Sequence, residues 1–210
     1  MKQVIKNLVL LLALAVILTS RAPREAPSTK SADNAAPGIE AVMRSIKDQD
    51  FETLAAFDSN GQLLFQTTSH EKGSVSVTSA QLNQFWSEDG AVIMHNHPSG
   101  STFSPTDLLA EAQRGTRRAI VVTDKDIYIL EPGTRGWGDA ERLYDAYVTY
   151  TEYFTREAET RKELVSARAT VIWVQDQALT ATAADFGLHY WSMPMKQVFC
   201  FQGIQVVTAG

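Results

Sequence analysis

The sequence predicts a mixed α/β fold: a curved β-sheet flanked by helices, with a helical C-terminal extension. Three observations carry this. Short apolar runs of strand length lie within residues 52–67 and 91–95, a proline-led helix start lies at 104–107, and long stretches of helical period follow residue 140. With 210 residues, 44% of them hydrophobic and 20% charged, the chain can bury one good-sized core, which excludes disordered and fibrous classes.

The first element is read as an export signal, not as part of the fold. Lys2 and Lys6 precede an unbroken apolar run from Leu8 to Leu18, about half the ~20 residues a spanning helix needs. A signal peptide over 1–22, or a short uncleaved N-terminal anchor, is therefore expected, with a periplasmic or secreted product. Arg21 stands where a lipidated cysteine would follow Leu18-Thr19-Ser20, so no lipid anchor is expected. Residues 23–38, rich in Pro, Ala, Ser, Lys and Asp, read as a linker.

Loss of residues 1–22 removes Lys2, Lys6 and Arg21 and no acid, which takes the formal charge from −5 to −8. No Lys/Arg stripe interrupts that balance, so nucleic acid is not an expected partner. Any membrane contact is expected only through the N-terminus. Cys200 is the single cysteine, which rules out an intrachain disulfide and suggests a buried, inert thiol.

Ile39, Val42, Met43 and Ile46 recur at helical spacing and lead into a core expected over 39–138. Glu52–Phe57 and Gln62–Thr67 read as a β-hairpin across Asp58-Ser59-Asn60-Gly61, whose Asn-Gly pair suits positive φ. Thr78–Trp86 reads as a helix with Leu82, Phe85 and Trp86 on one side, and Gly90 closes the loop after it. Ala91–His95 has the length and flanks of a buried strand. Ser104-Pro105-Thr106-Asp107 opens a helix that stops at Gly115. Arg118–Thr123 and Asp126–Glu131 are strands. After Gly133–Gly138 a helix is expected from Ala140 to about Ala169, with Leu143, Tyr147, Tyr150 and Phe154 as its core stripe, and a second from Ile172 to Phe186. These helices make an extension over 139–191. Residues 192–210 form a tail, strand or loose, without an assigned task.

The chemistry concentrates in His95-Asn96-His97-Pro98-Ser99-Gly100, followed by Ser104 and Asp107. Histidines at i and i+2 of a strand point to one face, so both imidazoles can meet one ion while Asn96 faces away. A helix starting at Ser104 returns Asp107 beside the strand end as a third ligand. Two histidines, a carboxylate and an open fourth position make a catalytic type of zinc site. Ser104 and Asp107 also fit an N-cap pair that needs no metal, and each histidine alone fits a core or loop position. A nuclease or phosphoesterase using the same histidines would want further carboxylates or a second metal.

His95-x-His97-Pro98 followed by Ser104-x-x-Asp107 resembles the JAMM/MPN+ (Mov34/MPN/PAD-1, or JAB) zinc metallopeptidases, and the His-Asn-His-Pro-Ser-Gly wording is similar to their bacterial and phage, RadC-like branch. The resemblance covers about residues 50 to 131. Five residues separate Pro98 from Ser104, where the family pattern has six.

The resemblance implies a JAB/MPN (cytidine-deaminase-like) core and a zinc ion held by His95, His97 and Asp107. It implies a water-activating glutamate at Glu52, 43 residues before His95, with Glu40 and Glu71 as competitors, and an oxyanion-steadying Ser104. The implied activity is hydrolysis of a peptide or isopeptide bond in a peptide or protein substrate. A catalytically silent domain of the same fold, binding a protein partner, is the alternative.

Overall fold

The computed structural model describes residues 37–88, 91–161 and 166–195. The expected signal segment 1–22, nearly all of the linker, Gly90, Cys200 and the tail beyond Met195 lie outside the described residues. No helix among the described residues is long and apolar enough to cross a membrane.

Helix α1 (Ile39–Ile46) buries Val42, Met43 and Ile46, the stripe that its period predicts. Strands β1 (Thr53–Phe57) and β2 (Leu63–Thr68) form the expected antiparallel hairpin. At its turn Asp58 Oδ1 accepts from the Asn60 and Gln62 amides at 2.9 and 2.8 Å, and only Gly61 takes a positive φ, +78°.

Helix α2 (Ser79–Trp86) is closed by a Thr78–Gln81 capping box. It buries Phe85 but leaves Trp86 57% exposed, so the expected one-sided stripe does not include that tryptophan. Strand β3 (Val92–Asn96) is buried along its whole length. Helix α3 (Pro105–Arg114) carries the chain across to β4 (Arg118–Val122), which lies parallel to β3. Strand β5 (Asp126–Glu131) returns antiparallel.

The C-terminal half differs from expectation in three respects. Helix α4 (Ala140–Ala158) ends well before Ala169, because the amides of Thr160 and Arg161 bond back only three residues and tighten the last turn. Helix α5 (Ala167–Phe186) begins five residues before Ile172, where the Ser166 hydroxyl accepts from the Ala169 amide as an N-cap. Gly187, at φ +69°, then turns the chain into β6 (His189–Pro194), which pairs with β5 along its length. The tail thus begins as a sheet strand.

Six strands in the order β2-β1-β3-β4-β5-β6 make a mixed sheet, and with the five helices among the described residues the fold is mixed α/β. The strand period of two sorts side chains to the two faces. Ala119 and Val121 of β4 join Leu108, Leu143, Tyr147, Ala178 and Leu179 on one face, while Ile120 and Val122 join Val42, Met43 and Ile46 on the other. Helices α4 and α5 therefore share the core of the sheet.

Candidate metal centre

His95 lies near the C-terminal end of β3 and His97 just beyond it. The His97 amide donates to the Val122 carbonyl at 2.9 Å, which continues the parallel ladder one residue past the strand and keeps His97 on the His95 face. A tight turn follows, with the Gly100 amide on the His97 carbonyl at 2.9 Å and Gly100 at φ +77°. The two Nε2 atoms stand 3.0 Å apart, and both imidazoles are buried.

Asp107 comes back to this pair from the first turn of α3. Its Oδ1 lies 3.6 Å from His95 Nε2 and its Oδ2 3.5 Å from His97 Nε2. The same Oδ2 accepts from the Ser104 amide at 2.7 Å, while Ser104 Oγ accepts from the Asp107 amide at 3.2 Å. Capping and ligation are therefore compatible, and the cap aims the carboxylate. The five-residue loop from Ser99 to Phe103 is long enough to bring Asp107 into place.

The donor set fits a zinc ion. His97 Nδ1 donates to the Ser101 carbonyl at 3.1 Å, which leaves its Nε2 as a bare lone pair in the neutral ring. Two ligand atoms on one tetrahedral zinc stand about 3.3 Å apart. The two Nε2 atoms stand 3.0 Å apart, Asp107 turns Oδ1 to His95 at 3.6 Å and Oδ2 to His97 at 3.5 Å, and one ligand atom from each residue lies within 4.8 Å of the others. His95, His97 and Asp107 form the metal-competent group among the described residues. His95 Nδ1 is buried without a hydrogen-bond partner there, so an N–H on that atom has no acceptor.

Burial works to raise the Asp107 pKa, but His95 and His97 outweigh it and hold the carboxyl well below the usual carboxylate range. Burial opposes charge on His97 too, yet Asp107, Glu52 and the Ser101 carbonyl together raise its pKa. Glu52, one residue before β1, has Oε1 3.9 Å from His97 Nε2. Its pKa is raised, chiefly by burial, against the pull of the two histidines.

Glu40 pairs with Arg44 on an exposed face of α1, and the Glu71 carboxylate accepts from Ser74. Of the three glutamates, Glu52 is the one the ion-pair geometry joins to the histidines. The Ser104 hydroxyl shares a 2.8 Å bond with Thr106 Oγ1 in addition to its cap. Sequence reasoning passed over Asn96, whose side chain bonds to the backbone on either side of Glu52, and Tyr147, whose hydroxyl donates to the Phe103 carbonyl at 2.6 Å. Tyr147 has no local signal that separates it from a core aromatic.

Fold and site together define a mixed α/β protein with a His-His-Asp group, its histidines buried and its aspartate half-buried, that could hold a metal ion. No protein-family model matches the chain, and no curated protein matches it.

Proposed function

We propose that the protein is an exported zinc-dependent amidohydrolase of the JAMM/MPN+ kind, built on a JAB-like core, that hydrolyses a peptide or isopeptide bond. One observation carries the reading: ligand atoms of His95, His97 and Asp107 lie within 4.8 Å of one another, with the Glu52 carboxylate 3.9 Å from His97 Nε2. The order of elements supports it, since a glutamate at a hairpin strand, a helix, the His-x-His strand and the Ser-x-x-Asp helix follow one another as in that family.

His95, His97 and Asp107 would hold the zinc, which when bound supplies Lewis-acid polarisation of a carbonyl and lowers the pKa of water to about 7. Glu52 takes a proton from the attacking water and returns it to the leaving amine. Its half-buried carboxylate, with a raised pKa, is a better base than an exposed glutamate. The Ser104 hydroxyl, whose oxygen accepts from the Asp107 amide, would donate its hydrogen to the developing oxyanion with Thr106 as the donor in the bond the two hydroxyls share, a contribution of about 3 kcal/mol. For an exported protein, wall peptides, periplasmic proteins and the proteins of another cell are the substrates to try.

The test is hydrolysis of a panel of peptides and ε-linked isopeptides by the zinc-loaded full chain beside Glu52→Gln. Loss of general-base catalysis predicts a fall of about 100- to 10,000-fold with zinc retained. Turnover undiminished in Glu52→Gln contradicts the mechanism. A zinc-loaded wild type inert on the whole panel favours a protein-binding module of the same fold.

A further inference from the structure

We infer that Asn96 is a positioning residue that couples the ligand strand to Glu52, so that metal binding and turnover can be separated by changing it. The inference rests on the hydrolytic reading proposed above. Asn96 lies between the two histidines in sequence and is 1% exposed. Strand alternation turns it away from the His95 face, toward the chain that precedes β1.

There its carboxamide bridges the two peptide groups that flank Glu52. Oδ1 accepts from the Thr53 amide at 2.8 Å, and Nδ2 donates to the Phe51 carbonyl at 3.0 Å and the Gln49 carbonyl at 3.4 Å. The backbone register between β1 and β3 ends at Leu54 opposite His95. The Asn96 side chain takes over one step beyond, where Glu52 leaves the sheet.

Glu52's own peptide groups are held from the opposite side. Its amide donates to the Glu71 carbonyl at 2.9 Å, and its carbonyl accepts from Thr68 Oγ1 at 2.6 Å. Backbone on both sides of Glu52 is thus fixed, and the carboxylate keeps only its own torsions to search for the position 3.9 Å from His97 Nε2. A donor and an acceptor are both needed at residue 96, because it faces an N–H and carbonyls at once. Aspartate keeps the acceptor for Thr53 but sets a carboxylate against the Phe51 and Gln49 carbonyls, and alanine leaves all three groups unmatched.

This differs from a purely structural asparagine in its coupling. A residue that acts through Glu52 loses its effect once Glu52 cannot act, so the two substitutions are non-additive. A structural residue adds its own loss in either background.

The experiment uses the full chain as wild type, Asn96→Ala, Asn96→Asp, Glu52→Gln and Asn96→Ala/Glu52→Gln. It reads zinc affinity by competition with a chromophoric chelator, amide hydrogen exchange at Thr53, and kcat and KM on a substrate that wild type hydrolyses. Asn96→Ala is expected to keep zinc affinity within about threefold, lose protection at Thr53, and lose about 100-fold in kcat with KM little changed, the scale of a misplacement near 1 Å. Asn96→Asp, which retains the Thr53 acceptor but opposes the Phe51 and Gln49 carbonyls, is expected to keep part of that protection and still to lose kcat, and it serves in place of alanine if that variant does not fold. The double variant is expected to match Glu52→Gln alone.

Zinc affinity falling in step with turnover, or a full additional loss in the double variant, overturns the coupling. Undiminished kcat in Asn96→Ala overturns this inference and leaves the hydrolytic reading standing. Absence of hydrolysis in wild type overturns that reading, and the inference with it.

Discussion

Nε2 of His95 stands 3.0 Å from Nε2 of His97, and each lies within 3.6 Å of an Asp107 carboxylate oxygen. Two ring nitrogens at that distance share either a proton, as an N–H···N hydrogen bond, or a metal ion. The His97 ring has its Nδ1 proton committed to the Ser101 carbonyl, so its Nε2 is presented as a ligand before anything binds. The site is thereby organised by the turn after β3 and the cap of α3, with the β4 ladder and Tyr147 holding both in place.

That turn makes a prediction about Gly100. A Cβ there would stand 2.2 Å from Arg168 Nη2, and φ is +77°. Gly100→Ala is expected to cost about 1–2 kcal/mol from the left-handed backbone alone, plus the displacement of Arg168. In an Arg168→Ala background only the backbone part remains. Urea unfolding of the two single variants and the double checks this, and an equal cost in both backgrounds contradicts the contact.

Tyr147 ties α4 to the loop that delivers Asp107. Its buried hydroxyl donates to the Phe103 carbonyl at 2.6 Å, next to the Ser104 cap. Tyr147→Phe leaves that carbonyl unsatisfied and is expected to lower stability by about 1–3 kcal/mol. The urea midpoint should fall with the slope unchanged, and zinc affinity should weaken as the cap loosens.

High pH should destabilise the fold through its buried tyrosines. Burial, reinforced by Asp126, pushes the Tyr128 phenol up to about 12, and burial also raises Tyr147 and Tyr190. Unfolded tyrosines titrate near about pH 10, so above that the folded state holds more protons and stability falls as pH rises. The contribution is complete below pH 10 and, for Tyr128, is lost as pH climbs through about 12. Unfolding free energies measured from pH 9 upward should slope down. In Tyr128→Phe the slope should be shallower by up to about 1.4 kcal/mol per pH unit.

Much of this architecture is legible in the sequence because its signals are short-range. The hairpin is announced by Asp58 and Gly61, β3 by a five-residue apolar run, and α3 by Ser104, Pro105 and Asp107 in their capping positions. A break between α4 and α5 is legible but its position is not: it is expected after about Ala169, whereas α4 ends at Ala158 and α5 starts at Ala167, because Ser166 is a cap without a glycine or proline beside it. Strand β6 depends on pairing with β5, a partner about sixty residues earlier in the chain that no local pattern names. For Asn96, alternation gives the direction of the side chain correctly. The backbone of Phe51 and Thr53 waiting there is tertiary information.

The central claim is that His95, His97 and Asp107 hold one zinc ion. Elemental analysis of the purified, zinc-loaded full chain tests it beside His97→Ala and Asp107→Asn, with circular dichroism to confirm that each variant is folded. One zinc per wild-type chain, lost in both folded variants, is the predicted result. A wild type that retains no zinc after loading, or variants that retain it undiminished, would contradict the claim.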